Sequence, residues 1–402
     1  MKQILNKLAV SFIFAGVAGS ASAAGTALIP LPAFGEDAGI HGLLNASVAY
    51  NDNIYLSETN EDADTIFTIS PGLEFTNGDE ARSKFNLRFV ENILFYMDET
   101  DNNRALENID FTFTHGGEGQ KLKLTVAGGF HHNQSASARD SYTKGTMTRS
   151  YNYYAKGILS YKVGEKTSLR SGLNWSGTTY QNSEAKYYYN DRQQYSIPLY
   201  LYYAVTEKLN AGLSAEYRYV DLATSERNRA AGETAGTEQV WFFGLSAEGN
   251  AWEKLSLNGR IGVTTSDYSD RTIDNLDGRD TLGMSITADY QATEKLSTAL
   301  TLNRDFELGS AGEGIIATGA TLSANYRIDD FWSANASLGY RLDDYQSSAR
   351  EDDIYKMTVG ASYAINEWAS AYANYSLAID ESNQEGSDYT NNIVTVGISL
   401  RY

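Results

Sequence analysis

The sequence predicts an all-β chain: a single transmembrane up-and-down antiparallel β-barrel of about eighteen strands, sixteen being the alternative count. Three observations carry this expectation. Segments of a dozen or so residues alternate apolar and polar side chains, connections between them alternate short and long, and aromatic residues gather at the segment ends. A period of two marks a strand with two unlike faces. In the stretch 208–222, Leu209, Ala211, Leu213, Ala215, Tyr217 and Tyr219 alternate with Asn210, Gly212, Ser214, Glu216 and Arg218. The last strand sets Val394, Val396, Ile398, Leu400 and Tyr402 against Thr395, Gly397, Ser399 and Arg401.

Composition excludes several other classes. The chain has 402 residues, no Cys, 51 acidic against 32 basic side chains and a net charge of −19. Without Cys there is no disulfide scaffold, zinc ribbon or thiol nucleophile. The acidic balance repels polyanions, so nucleic acid is not an expected partner. Aromatics at 12% are too many for a solvated acidic tail. In the order of the chain, Met1 to Ala23 reads as an export signal. Lys2 and Lys7 precede the apolar run 8–17, and Ala21-Ser22-Ala23 supplies a small-x-small cleavage pattern. Residues 24–41 form a short periplasmic segment, too brief for a plug, and 42–402 form the barrel.

Strands are expected near 42–54, 64–76, 82–97, 104–115, 120–132, 147–162, 167–180, 187–205 and 208–221. They continue near 238–250, 254–267, 281–291, 295–306, 314–326, 331–343, 354–364, 368–379 and 390–402. Glu91 and Pro198 break the pattern, and a bulge near either would accommodate them. The short connections resemble one another: Val205-Thr206-Glu207-Lys208, Ala292-Thr293-Glu294-Lys295 and their neighbours. Short periplasmic turns and long outer loops are the habit of bacterial barrels. The loops 55–65, 266–280, 343–353 and 380–388 hold most of the negative charge, giving an acidic mouth or simply soluble loops. The loop 133–149 is basic through Arg139, Lys144 and Arg149, against Asp140. Tyr50, Tyr55, Phe95, Tyr96, Tyr187, Tyr188, Tyr189, Tyr219, Trp252, Phe331, Trp332, Trp368, Tyr375 and Tyr402 are candidates for two girdles at the lipid boundary.

The polar parity is rich in Ser, Gly, Asn and Thr, as water-filled interiors are. A charge facing lipid costs roughly 2–4 kcal/mol at mid-membrane. Charged residues of the polar parity therefore point inward, and the candidate pore-lining residues are Arg88, Lys121, Lys123, Arg170, Glu216, Arg218, Glu248, Arg260, Asp289, Asp305, Arg341 and Lys356. They pair across the wall and stiffen it, or form a basic constriction that orients polar or anionic solutes. Tyr200 and Tyr202 share the inward parity of Ser196, where sugar rings could slide, with a girdle position as the alternative. No catalytic, cofactor or metal site is expected. The histidines are His41, His115, His131 and His132, and adjacent His131 and His132 fall on opposite faces of a strand.

Tyr50-Asn51-Asp52-Asn53-Ile54, then Asp64, then Ile69-Ser70-Pro71-Gly72-Leu73 resemble the start of the β-barrel porin type 2 family. The resemblance covers nearly the whole mature chain and implies an outer-membrane barrel of about eighteen strands. It also implies a link to exopolysaccharide secretion. Asp52 and Asn53 themselves are expected to form a turn. The expected function is an outer-membrane channel for polar solutes, with exopolysaccharide export as its specialised form. A non-conducting surface barrel, an adhesin or structural protein, is the alternative. Expected partners are outer-membrane lipid and lipopolysaccharide, a polar solute or polysaccharide, periplasmic polysaccharide-export proteins, and the barrel assembly machinery through Tyr402.

Overall fold

Alternating segments that each expose one greasy face cannot stop at an open edge in lipid, and the computed structural model of the chain shows them closing on themselves. It describes residues 27–35, 38–77, 82–117, 120–136, 146–273 and 276–402. The segment read as an export signal, the basic pair Arg139 and Lys144, Asp140, Asp274 and parts of two short turns lie outside the described residues.

In chain order the elements are β1 (Ile29–Pro30), β2 (Gly39–Asn51), β3 (Asp64–Thr76), β4 (Ser83–Tyr96), β5 (Arg104–His115), β6 (Leu122–Ser135), β7 (Thr148–Lys162) and β8 (Thr167–Tyr180). A short helix α1 (Ser183–Tyr188) leads to β9 (Asp191–Ala204) and β10 (Leu209–Ala223), and α2 (Glu226–Ala230) leads to β11 (Thr237–Trp252). There follow β12 (Leu255–Ser269), β13 (Arg279–Gln291), β14 (Leu296–Leu308), β15 (Gly314–Arg327), β16 (Trp332–Tyr345), β17 (Glu351–Ala364), β18 (Ala369–Ser382) and β19 (Tyr389–Arg401). From β2 onward each strand pairs antiparallel with the next, and β19 pairs back onto β2 from Ile393↔Asn51 to Arg401↔Leu43. The result is a closed barrel of eighteen strands. The short β1 is an addition to the expected set; it pairs with the start of β2.

Exposure follows parity. On β11, Trp241, Phe243 and Leu245 face outward, the last 62% exposed, while Glu238, Val240 and Phe242 are buried on the inner side. Such apolar outer faces recur around the barrel. A soluble monomer rarely exposes so large an apolar surface, and lipid removes the penalty. Barrel strands of 12 to 16 residues exceed the roughly 9–11 needed to cross a bilayer.

The likeness among the short turns has a local cause. Val163, Val205, Ile328 and Ile365 each donate their N–H to the carbonyl four residues on. In three of these turns the next residue accepts N–H bonds with its side chain: Thr206, Asp329 and Asn366. Thr293 does the same in its own turn. An oxygen-bearing side chain at that position closes the turn. At the exposed Asp329, the N–H groups of Trp332 and Phe331 hold the carboxyl below the usual carboxylate range.

Several boundaries differ from expectation. The eighth barrel strand begins at Asp191, because 183–188 coil into α1. The loops 343–353 and 380–388 shrink to 346–350 and 383–388, because Asp343↔Asp352 and Ile354↔Asp380 continue the ladders. Neither Glu91 nor Pro198 sits in a bulge. Glu91 pairs in register with Glu107, and Pro198 with Glu216. Proline has no N–H to give, so the ladder to β8 is interrupted there, with Gly172 beside the ring. The register shift lies instead in β11 between Asn250 and Trp252. Of the girdle candidates, Tyr50, Phe95, Tyr187, Trp252, Phe331, Trp332, Trp368 and Tyr402 are exposed. Tyr96 and Tyr189 are instead buried among loop residues.

Candidate functional site

The inside of the barrel is uneven, and the cause is one ladder that stops early. β13 and β14 pair only from Gln291↔Ser297 to Met284↔Arg304, while β14–β15 pairing runs on to Leu308↔Gly314. Above Arg304 the two strands part and the β14–β15 tip turns into the lumen. Its outward-parity residues Phe306 and Ile316 pack against Val240, on the inner face of β11. Leu308 packs with Val220, Leu222 and Ala235. Arg304 sits in the fork, donating to Thr281 Oγ1 at 3.2 Å and to Thr318 Oγ1.

This fold-back brings Asp305 to a charge four strands away around the wall, beside other inward ion pairs. Arg218 on β10 donates to both carboxylate oxygens of Asp305 on β14 (2.8 and 3.3 Å) and to the Phe306 carbonyl (2.8 Å). Arg260 pairs with Glu216 on β10 and lies over the Phe242 ring. Arg170 makes a two-point pair with Glu248, and Arg341 binds Glu307 (2.7 Å) and Asp343 (2.5 Å). Two-point guanidinium–carboxylate pairs are strong and directional. Beside them, Tyr200 and Tyr202 stack at 5.7 Å with planes 2° apart, and the Arg170 guanidinium lies over Tyr202. Both rings point inward, because Tyr200 pairs in register with the inward residues Ser214 and Arg170.

On the opposite wall the contacts run between near neighbours. Asp110 accepts from His131 and Tyr154, Glu74 accepts from Asn86 and Arg401, and Asn45 bonds Tyr372 and Ser399. His132, on the outer face, bonds Glu107 and meets the Tyr151 ring. At the long-loop end, α1 packs Ala185 with Tyr180, Tyr189 and Ala311 from the β14–β15 tip. A second loop cluster holds Ile54, Tyr96 and Met147 with Tyr55, whose phenol burial pushes above its ordinary pKa. Burial alone would lower the Arg350 pKa, but its bond to Asp352 together with the nearby Tyr345 and Asp380 raises it.

The motif after β2 makes more than a turn. Asp52 accepts the backbone N–H (2.6 Å) and side-chain amide (2.7 Å) of Asn392. Asn391 donates to Asn51 Oδ1 and the Asn53 carbonyl. The fully buried Asn53 donates to the carbonyls of Ser57 and Thr390 and accepts the Ser57 N–H. Asp64 accepts the N–H groups of Met97, Asp98 and Glu99. Asn51, Asp52 and Asn53 thus latch β2 to β19, while Asp64 ties β3 to the segment after β4.

Of the twelve residues read as pore-lining, Arg170, Glu216, Arg218, Glu248, Arg260, Asp305 and Arg341 belong to the ion-pair cluster along β8–β16. Arg88 stands apart, in register with Glu74 and Asp110. Lys121, Lys123 and Asp289 are exposed near the short-turn end, and Lys356 is exposed partway along β17. Sequence reasoning missed Glu307, Glu74, Arg401 and Arg304. The first three follow from the same parity rule. Arg304 carries the outward parity of Leu300, so its place in the fork has no signal in the alternation. The acidic mouth is also corrected in part: Asp343, Asp352 and Asp380 are buried inward, next to Arg341, Arg350 and their strand neighbours.

A closed barrel with a greasy outside and a polar, charged inside is a membrane-spanning barrel of the porin class. Residues 34–402 match the family described as "Putative beta-barrel porin 2", and the chain belongs to it. No curated protein matches the chain. Among solved structures it is similar to OpdO of Pseudomonas aeruginosa: 12% identity, 91% of this chain and 98% of that one covered, TM-score 0.47. It is also similar to OccAB3 of Acinetobacter baumannii: 10% identity, 91% and 99% covered, TM-score 0.45. The ferric-catecholate import receptor Fiu from E. coli K12 aligns at 10% identity, 90% and 81% covered, TM-score 0.43.

Proposed function

We propose that the protein is a Gram-negative outer-membrane channel for polar, uncharged solutes, with exopolysaccharide export as its physiological task. The export signal at residues 1–23 would deliver it to the periplasm, and the short-turn end would face that compartment. One observation carries the solute class: the inward arginines Arg170, Arg218, Arg260 and Arg341 of β8–β16 are each paired with a carboxylate. Arginines paired in this way do not form a basic constriction that would draw anions inward. The inward Tyr200–Tyr202 stack beside them offers flat, partly polar surfaces suited to sugar rings.

Purified protein in planar bilayers tests the channel. The expected result is discrete conductance steps with little preference between anions and cations. Liposomes carrying the barrel should also release neutral oligosaccharides faster than charged ones of equal size. Absence of any conducting step would leave the non-conducting surface barrel as the reading.

A further inference from the structure

We propose that the β14–β15 tip, residues 305–316, is a gate that swings between the lumen and the barrel wall. The inference rests on the channel reading and adds its regulation. Gly309 donates its N–H to Glu313, so odd-numbered residues of β14 bond across to β15. In an antiparallel ladder the even-numbered residues then point both backbone groups the other way, toward β13. At Phe306 that partner is missing. Its N–H is taken by the Asp305 carboxylate (2.8 Å) and its carbonyl by Arg218 (2.8 Å). Two side chains stand in for an unmade strand pairing.

The pairing that is not made is available. Continuing the register past Met284↔Arg304 sets Leu282 against Phe306 and Thr281 against Glu307. In that arrangement Phe306, Leu308 and Ile316 would join the outward face beside Leu282, which is 51% exposed to the outside. Apolar side chains suit lipid as well as they suit the inner face of Val240, Val220 and Leu222, so the same tip has two acceptable sites. Asp305 and Glu307 face the lumen in both. Swinging outward vacates the corner that the tip now fills and widens the passage.

The inward position is the resting one. Outward movement gives up the Arg218–Asp305 pair, the Arg304–Thr281 bond and the bonds from Arg192, Asn190 and Arg271 to the Leu308, Ser310 and Gly312 carbonyls, and turns the Arg304 side chain toward lipid. β15 stays in register with β16 as far as Ile315↔Tyr345, so the tip carries that edge of the wall with it as it moves.

The chain has no cysteine, so introduced pairs report on position directly. Full-length protein carries either Val240→Cys with Ile316→Cys, neighbours in the inward state, or Thr281→Cys with Glu307→Cys, partners only in the outward one. Gel mobility confirms folding of each barrel. On oxidation the first pair should cross-link and lower mean conductance about five-fold relative to the same protein reduced. The second should cross-link slowly, and about five-fold faster when Arg218→Gln is added. If the second pair never cross-links, with or without Arg218→Gln, while the first does so fully, the tip is fixed wall and the gate is overturned. Equal and non-zero conductance of the first pair oxidised and reduced also overturns it. Cross-linking is read without current, so a barrel that never conducts sinks the channel reading while the movement is judged separately.

Discussion

Two of the barrel's shorter ladders, β13–β14 and β19–β2, are sealed in opposite ways. β13–β14 makes eight residue pairs and β19–β2 makes nine. At β19–β2 the pairing is prolonged at both ends. Asn51, Asp52 and Asn53 clasp Asn391 and Asn392 above, and Gly42 exchanges backbone bonds with Tyr402 below. At β13–β14 the backbone pairing stops at Met284↔Arg304, with a single side-chain bond, Arg304 to Thr281, across the fork. Arg218 and Asp305 occupy the backbone groups that would have continued it, and the hairpin turns inward. Ladder length alone therefore does not decide whether a seam is shut. The side chains at its end decide, by bonding across it or by satisfying one edge alone.

The largest effect should come from the parted seam. Arg218→Gln leaves the Asp305 carboxylate without its cation; losing one partner of a fully buried pair costs about 3–5 kcal/mol, an upper bound for this part-buried one. The urea midpoint should fall and mean conductance should rise. A fall in stability with unchanged conductance would reduce Arg218 to a structural strut.

The latched seam should respond next. Asn53→Ala removes three hydrogen bonds at a fully buried site and leaves the Thr390 and Ser57 carbonyls unmet, at about 1–3 kcal/mol for each group left bare. Loss of protection should appear first in hydrogen exchange at 389–393, with conductance unaltered. Protection lost equally around the barrel would show that the latch is not local.

The smallest effect lies at a short turn that belongs to neither seam. The Asp329 carboxyl is held below its ordinary pKa by two N–H bonds, so its folded pKa is below its unfolded one. Its stabilisation is present above the unfolded pKa, near 4, and is lost as pH falls through the folded value. Asp329→Asn should therefore be less stable than the parent at pH 7, with the difference shrinking below about pH 4. Equal difference at pH 7 and pH 2.5, read from urea midpoints, would contradict the assignment.

Most strands were legible in the sequence, and for one reason. Side-chain direction along a strand is set by neighbouring residues alone, so Leu213 and Ser214 declare opposite faces wherever the strand ends up. The turn residues Thr206, Thr293, Asp329 and Asn366 were legible on similar grounds, since each acts on N–H groups two or three residues away. The eighth barrel strand was less so. Its tyrosines, 187 to 189, continue the pattern of a strand, but α1 forms where Ala185 can pack against Tyr180 and Ala311. For the inward charges, parity identified Arg170, Glu216, Arg218, Glu248 and Asp305 but not who meets whom. Arg218 and Asp305 lie on β10 and β14 and touch only because the wall folds back between them.

By itself, then, the sequence determined the strand array, the inward or outward address of nearly every side chain, and the acidic, cysteine-free character of the chain. These are properties of short stretches. Tertiary structure alone decided that Asn51, Asp52 and Asn53 would clasp a strand more than three hundred residues away, and that Phe306 and Leu308 would turn inward. Both depend on where the closed sheet brings distant edges together, and an edge has no sequence pattern of its own.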